Sequence, residues 1–278
     1  MPLSDEVTVP RPASNPFTPD RPVTEEERFF GREDTIDWIE DRLAAGKRMV
    51  LLFGTPRMGK TSLLYRLRSK HKERMVAVYV DLETLPPSDT TEALWRLAEA
   101  VHTALTNEHA NLPAIERPAT GSGMDAWRQE WLPAWRPLLK GKGILLLVDS
   151  LVLEQVDQGA WADLVLRLQE LAAQEREVHV VVAVRGASTA IAQPVPAFRG
   201  LPVRDLEPLT EAQTEEMLVG LARYQLGYDY DAIRRIHELS GGHPYLVQLY
   251  GAELFRNLAP YGQVTIHIVG ALVRTITE

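Results

Sequence analysis

The sequence contains no cysteine. That excludes disulfides, thiol nucleophiles and thiolate-bound metal sites, and it is compatible with a reducing compartment. Long apolar runs are missing as well: no stretch approaches the roughly 18–20 residues that cross a bilayer. Residues 1–20 are rich in proline and lack the apolar region of a secretory leader. The expected location is cytoplasmic, with no membrane partner. Positive charge is in deficit, with 30 Lys and Arg against 38 Asp and Glu and a formal net charge of −8. The chain as a whole is therefore no electrostatic magnet for nucleic acid, which stays a possible but unfavoured partner. One run opposes the balance: Arg66, Arg68, Lys70, His71, Lys72 and Arg74. It reads either as a solvated helix end, where cations suit the macrodipole, or as a phosphate-contacting patch.

What is present suits a globular chain. With 278 residues, 45% of them hydrophobic, the sequence can fill one α/β core and a smaller accessory domain. Six prolines between Pro2 and Pro22 make residues 1–24 an arm, either extended over the domain or disordered. A first helix carries Ile36, Ile39 and Leu43 and stops at Gly46. Apolar runs then alternate with helical patterns. Strands are expected at Met49–Phe53, Met75–Val80, Ile144–Val148, Val178–Val184 and, more briefly, Val203–Leu206. The intervening helices include one with Leu63, Leu64 and Leu67 and another with Leu94, Leu97 and Val101. This alternation predicts a three-layer α/β/α parallel sheet over residues 25–209. Residues 107–122 read as loop. Trp127, Trp131 and Trp135 recur every four residues, as core or as a partner-binding stripe. From about Thr210 the pattern turns to helices only, which predicts a small C-terminal helical lid domain at 210–278.

One loop carries chemistry. Gly54-Thr55-Pro56-Arg57-Met58-Gly59-Lys60-Thr61 fits the pattern G-x-x-x-x-G-K-[ST], with an apolar strand before it and an amphipathic helix after it. The glycines let backbone wrap phosphate, and the N–H groups at the helix start, Ser62 included, face negative charge. Lys60 should reach the β- and γ-phosphates of ATP or GTP, and Thr61 should place its hydroxyl on Mg²⁺. A second acidic site is expected where another core strand ends, and Ile144-Leu145-Leu146-Leu147-Val148-Asp149 supplies it. Asp149 would hold the metal directly or through water.

With both sites placed, the chain resembles the STAND branch of AAA-like P-loop ATPases, the signal-transduction ATPases with numerous domains. Phe29-Phe30-Gly31-Arg32-Glu33 looks like the family's N-terminal motif of two hydrophobics followed by Gly-Arg-Glu, and Gly242-His243-Pro244 like its Gly-x-Pro motif. The resemblance implies ATP rather than GTP, and nucleotide contacts from Gly31, Arg32, His243 and Pro244. It also implies a sensor role for Arg185 and a switch between nucleotide-dependent states, with protein partners or self-assembly. Two departures stand out. Thr35 occupies a position that is often acidic. Ser150 stands where AAA-like enzymes usually place the glutamate that activates water, and a lost base typically costs about 10²- to 10⁴-fold in rate. Glu83 or Asp81, which follow the strand that the family's sheet order sets beside the Asp149 strand, could substitute; Glu154 is a more distant alternative.

Four functions follow as expectations. The first is a slow ATPase switch, with Lys60, Asp149, Glu83 and Arg185 as its catalytic set. The second is an ATP-gated assembly protein without turnover; the family's usual sensor and effector modules are expected either on partner proteins or to be replaced by such assembly. The third is a DNA-associated ATPase using the basic run. The last and most remote is a small-molecule kinase clamping phosphate with Arg185, Arg199 and Arg204.

Overall fold

The computed structural model of the protein describes residues 14–85, 89–108, 112–119, 123–157, 161–190, 195–223, 225–259 and 262–277. The expectations for residues 1–13, 109–111 and 120–122 lie outside them. Two compact units emerge, one spanning Val23–Glu207 and the other combining residues 14–22 with the chain from Pro208 onward.

In the larger unit five strands form one parallel sheet: β1 (Met49–Gly54), β2 (Met75–Asp81), β3 (Gly143–Val152), β4 (Val178–Arg185) and β5 (Val203–Asp205), in the order β2-β3-β4-β1-β5. Every residue of β1 is buried, as its unbroken apolar run requires when helices cover both faces. On one face, α1 (Glu33–Ala44) and α2 (Lys60–His71) bury Ile36, Ile39, Leu63, Leu64 and Leu67 against Leu52, Leu145 and Leu147. On the other, α3 (Thr90–Glu108) packs Leu94, Leu97 and Val101 over Leu146 and Val148. Neighbouring strand residues thus serve opposite layers, the period of two that makes a three-layer sandwich.

The tryptophans belong to the core. A short α4 (Gly123–Asp125) runs through a π-helical stretch, Ala126–Trp131, into α5 (Leu132–Leu139). Trp127, Trp131 and Trp135 are no more than 2% exposed, and Trp127 meets Trp135 edge-on at 5.5 Å. Trp127 Nε1 donates to Leu94 O at 3.0 Å, which satisfies its one polar group. After β3 come α6 (Leu153–Asp157) and α7 (Ala162–Gln174).

Two expectations need correction. The third strand does not end at Asp149: β3 runs on to Val152, its register shifting between Val148 and Leu151, with Ser150 at φ 64°. A residue inserted into a ladder takes such a left-handed turn, which the apolar count could not show. The C-terminal part is not helical throughout. Beside α8 (Glu211–Ala222), α9 (Tyr230–Ser240), α10 (Pro244–Leu258) and α11 (Ile266–Thr277), two strands pair in parallel, β6 (Leu226–Tyr228) and β7 (Gly262–Val264). Three residues are too few to display a strand's alternation.

Residues 14–22 are part of this helical unit. Phe17, 3% exposed, lies edge-on to Phe255 and fills a notch at Gly251, where a Cβ would come within 2.3 Å of its ring. Asn15 Nδ2 donates to Ala252 O at 2.9 Å, and Thr18 N–H to Gln248 Oε1 at 2.8 Å. Among the described residues no helix is long and apolar enough to cross a membrane.

Candidate phosphate-binding site

Parallel strands bring their carboxyl ends to one edge, where open α/β sheets take their ligands. The register places Gly54 of β1 beside Arg185 of β4, and Asp149 of β3 beside Asp81 of β2. The sequence-predicted residues of the core are thus collected on one edge by pairing alone.

The loop from Gly54 to Lys60 turns through two left-handed residues, Arg57 at φ 63° and Gly59 at φ 90°. Gly59 is the N-cap of α2, and no side chain caps that helix. Its first intrahelical bond is Leu63 N–H to Gly59 O, so the N–H groups of Lys60, Thr61 and Ser62 have no partner inside the helix. Lys60 is 8% exposed and bends back over the loop, where Nζ donates to Gly54 O at 2.6 Å and Thr55 O at 2.9 Å. Burial pushes its pKa down to about 8, the charge of Asp149 partly opposes this, and Arg185 adds to it. Unpaired helix-start amides and a desolvated ammonium are the donor set of a phosphate site.

Asp149, 2% exposed, is held on both oxygens. Thr61 Oγ1 donates to Oδ2 at 2.6 Å, and the Ser150 N–H donates to Oδ1 at 2.8 Å. Tyr79 was not singled out from the sequence. Its hydroxyl also donates to Asp149 Oδ2, at 3.0 Å, and its ring stacks on Tyr65 of α2 at 4.8 Å. Burial, then the Asp149 charge, pushes the Tyr79 pKa upward, so it stays a neutral donor. Tyr79 pairs with Leu147, which makes it the diagonal neighbour of Asp149. Only the register reveals that relation. A hydroxyl and a carboxylate in contact at the loop suit a magnesium ion, which prefers few protein oxygens beside those of phosphate.

The remaining candidates divide. Glu83 and Arg185 form an ion pair with each other. Asp81 accepts from the Glu83 N–H at 3.0 Å, which starts a short 3₁₀ turn. Glu154 is exposed on α6. Arg32 is buried, and its guanidinium donates to Glu207 O at 2.6 Å and Met58 O at 3.3 Å, so it props the phosphate loop from behind. Desolvation lowers its pKa, with the charge of Asp34 opposing. Gly31, at φ 73°, turns the chain into α1, and Thr35 is buried. In the helical unit Gly242 sits at φ 69°, and a Cβ there would come within 2.2 Å of Leu209 O. His243 is the N-cap of α10, and Pro244 is its first residue, where the missing N–H costs nothing. His243 Nδ1 is buried without a hydrogen-bond partner among the described residues.

Two cations of the basic run are neutralised, Arg66 by Glu26 at 2.7 Å and Lys70 by Glu40 at 2.9 Å; His71 also lies 3.2 Å from Glu40, but burial lowers its pKa, which favours the neutral ring. Arg204 pairs with Asp34 and Arg185 with Glu83, so these two are committed to local carboxylates.

Comparison with known proteins gives a match to the family described as Novel STAND NTPase 1 over residues 16–238. No curated protein matches the chain. Among solved structures, a Walker-type ATPase of Pyrococcus abyssi superposes with a TM-score of 0.64 at 18% identity, covering 87% of this chain and 72% of that one. The Thermotoga maritima RuvB Holliday junction branch migration motor gives 0.53 at 15% identity, covering 91% and 72%. Orc1 of Aeropyrum pernix, solved in complex with DNA, gives 0.50 at 15%, covering 95% and 69%. At such identities the likeness is one of fold.

Proposed function

The chain belongs to the novel STAND NTPase 1 family of P-loop, nucleotide-binding proteins, and from that premise we propose that it is an ATP-operated switch with slow hydrolysis. The observation that carries the reading is the 2.6 Å bond from Thr61 Oγ1 to Asp149 Oδ2, which joins the phosphate loop to the acidic strand. A magnesium ion held by that pair would supply Lewis-acid stabilisation of phosphate oxygens. Lys60 exchanges the carbonyls of Gly54 and Thr55 for the β- and γ-phosphates, and the amides of Lys60, Thr61 and Ser62 orient them. Thr55, Pro56, Arg57 and Met58 complete the loop around the phosphates. Gly31, Arg32, His243 and Pro244 enter this proposal by family resemblance. For Arg32 the role is to brace the loop.

Slow turnover rests on where the carboxylates are. Ser150 has no proton acceptor strong enough for the attacking water. Asp81 is spent on a turn, and Glu83 is bound to Arg185. The same facts favour a second reading, a non-hydrolysing ATP-gated assembly protein with protein partners or further copies of itself. The net charge of −8, with Arg66 and Lys70 of the basic run already paired to Glu26 and Glu40, argues against a DNA-associated ATPase.

Phosphate release by four proteins tests the proposal. Ser150→Glu should raise turnover about tenfold or more where the new carboxylate reaches the water. Glu83→Gln and Asp81→Asn should leave the slow wild-type rate nearly unchanged. Fast wild-type hydrolysis abolished by Glu83→Gln, with ATP still bound, would make Glu83 the base and overturn the slow switch.

A further inference from the structure

β2 is an edge strand, and among the described residues nothing pairs with part of its outer edge. Gly143 N–H donates to Arg74 O at 3.3 Å. In a parallel ladder the residues bonded to one neighbour alternate. Arg74, Val76 and Val78 therefore face β3, while Met75 and Ala77 turn their N–H and C=O groups to the free side. No described residue bonds to those groups. A cavity of about 500 Å³ runs along them, walled by Tyr65, Arg68, Ser69 and Lys72 from the α2 side and by Ala104 and Glu108 from α3.

The walls are not alike. On the α2 side Arg68 and Lys72 are exposed and form no ion pair among the described residues, in contrast to Arg66 and Lys70. Glu108, on the opposite wall, is already paired with Lys142. Four residues of helix separate the two free cations by about 6 Å. Alternate residues of a strand are separated by about 6.6 Å. Two acidic side chains at positions i and i+2 of an extended peptide would therefore meet Arg68 and Lys72 in step. The intervening side chains would turn towards Ala104.

We propose that this groove docks an acidic, extended peptide of a partner protein, which adds to β2 as a sixth strand. Backbone bonds to Met75 and Ala77 supply the pairing, and Arg68 and Lys72 select peptides with carboxylates on alternate residues. The proposal is independent of what the phosphate loop binds. Cations beside an edge strand can also serve only to repel other strands, and the test separates the two roles.

The probe is a fluorescein-labelled octapeptide alternating threonine and glutamate, titrated against the full chain by anisotropy. Saturable binding is expected, weakened at least tenfold in Arg68→Glu/Lys72→Glu and in a peptide with proline at alternate threonines. The double substitution lies on exposed positions, and an unchanged circular dichroism melt would show that the fold survives. Absence of saturable binding would overturn the proposal, as would equal binding of the proline peptide or of an alternating threonine–lysine peptide. Binding of a DNA duplex through Arg68 and Lys72 in place of the peptide would overturn it too.

Discussion

Lys60 keeps its ammonium against two loop carbonyls, out of water, so its proton is held less firmly than in the unfolded chain. The native pKa of about 8 lies below the ordinary lysine value of 10.5. Between those values the unfolded state binds more protons than the native one, and stability rises with pH. From pH 7.5 to 9.5 the unliganded wild type should gain about 2 kcal/mol relative to Lys60→Met, an order-of-magnitude figure from linkage. Urea midpoints at the two pH values measure it. Parallel curves for the two proteins would mean that Lys60 is not desolvated. Tyr79 offers a second test at this scale. Its hydroxyl orients Asp149 from behind, and loss of such a supporting bond typically costs about 10- to 100-fold in metal affinity. Tyr79→Phe keeps the stack on Tyr65. It should raise the Mg²⁺ concentration needed for half-maximal thermal stabilisation by ATP about tenfold, while stabilisation by ATP in EDTA stays the same. An unchanged Mg²⁺ midpoint would reduce Tyr79 to packing.

At the scale of elements, the docked segment at residues 14–22 contributes one large side chain to the helical unit. Phe17 is buried in the notch at Gly251, and truncating such a ring costs about 3–5 kcal/mol. Phe17→Ala should lower the unfolding midpoint of the helical unit accordingly, followed in urea by near-ultraviolet circular dichroism. A shift below about 1 kcal/mol would mean that the ring adds little beyond ordinary surface contact. This contact was not legible in the sequence, because prolines around Phe17 suppress any periodicity and its partners lie more than 200 residues away. The central strands β1, β3 and β4 were legible for the opposite reason: burial on both faces forces continuous apolar runs, and glycine or an acid ends or follows them. Asp149 was found by that rule, although β3 runs on beyond it, since a left-handed residue such as Ser150 leaves no mark in hydrophobicity. β6 and β7 escaped because three residues carry no pattern. Tyr79 escaped because its role depends on register, and its spacing in the strand suits packing equally well.

At the scale of the whole molecule, the parallel sheet gathers Gly54, Asp81, Asp149 and Arg185 on one edge, and the loop at Lys60 adds the cation and the free amides. The P-loop lysine, the helix-start amides and the Thr61–Asp149 pair lie together there, while Asp81 and Glu83 are committed to a turn and to Arg185, and Glu154 is exposed on α6. The direct test is a single measurement on wild-type protein: equilibrium binding of ATP with Mg²⁺, with phosphate release followed in the same sample. The account expects saturable binding near one ATP per chain and turnover at least a hundredfold below the roughly 10 s⁻¹ of an ordinary enzyme. Failure to bind ATP, or turnover of several molecules per second, would contradict it.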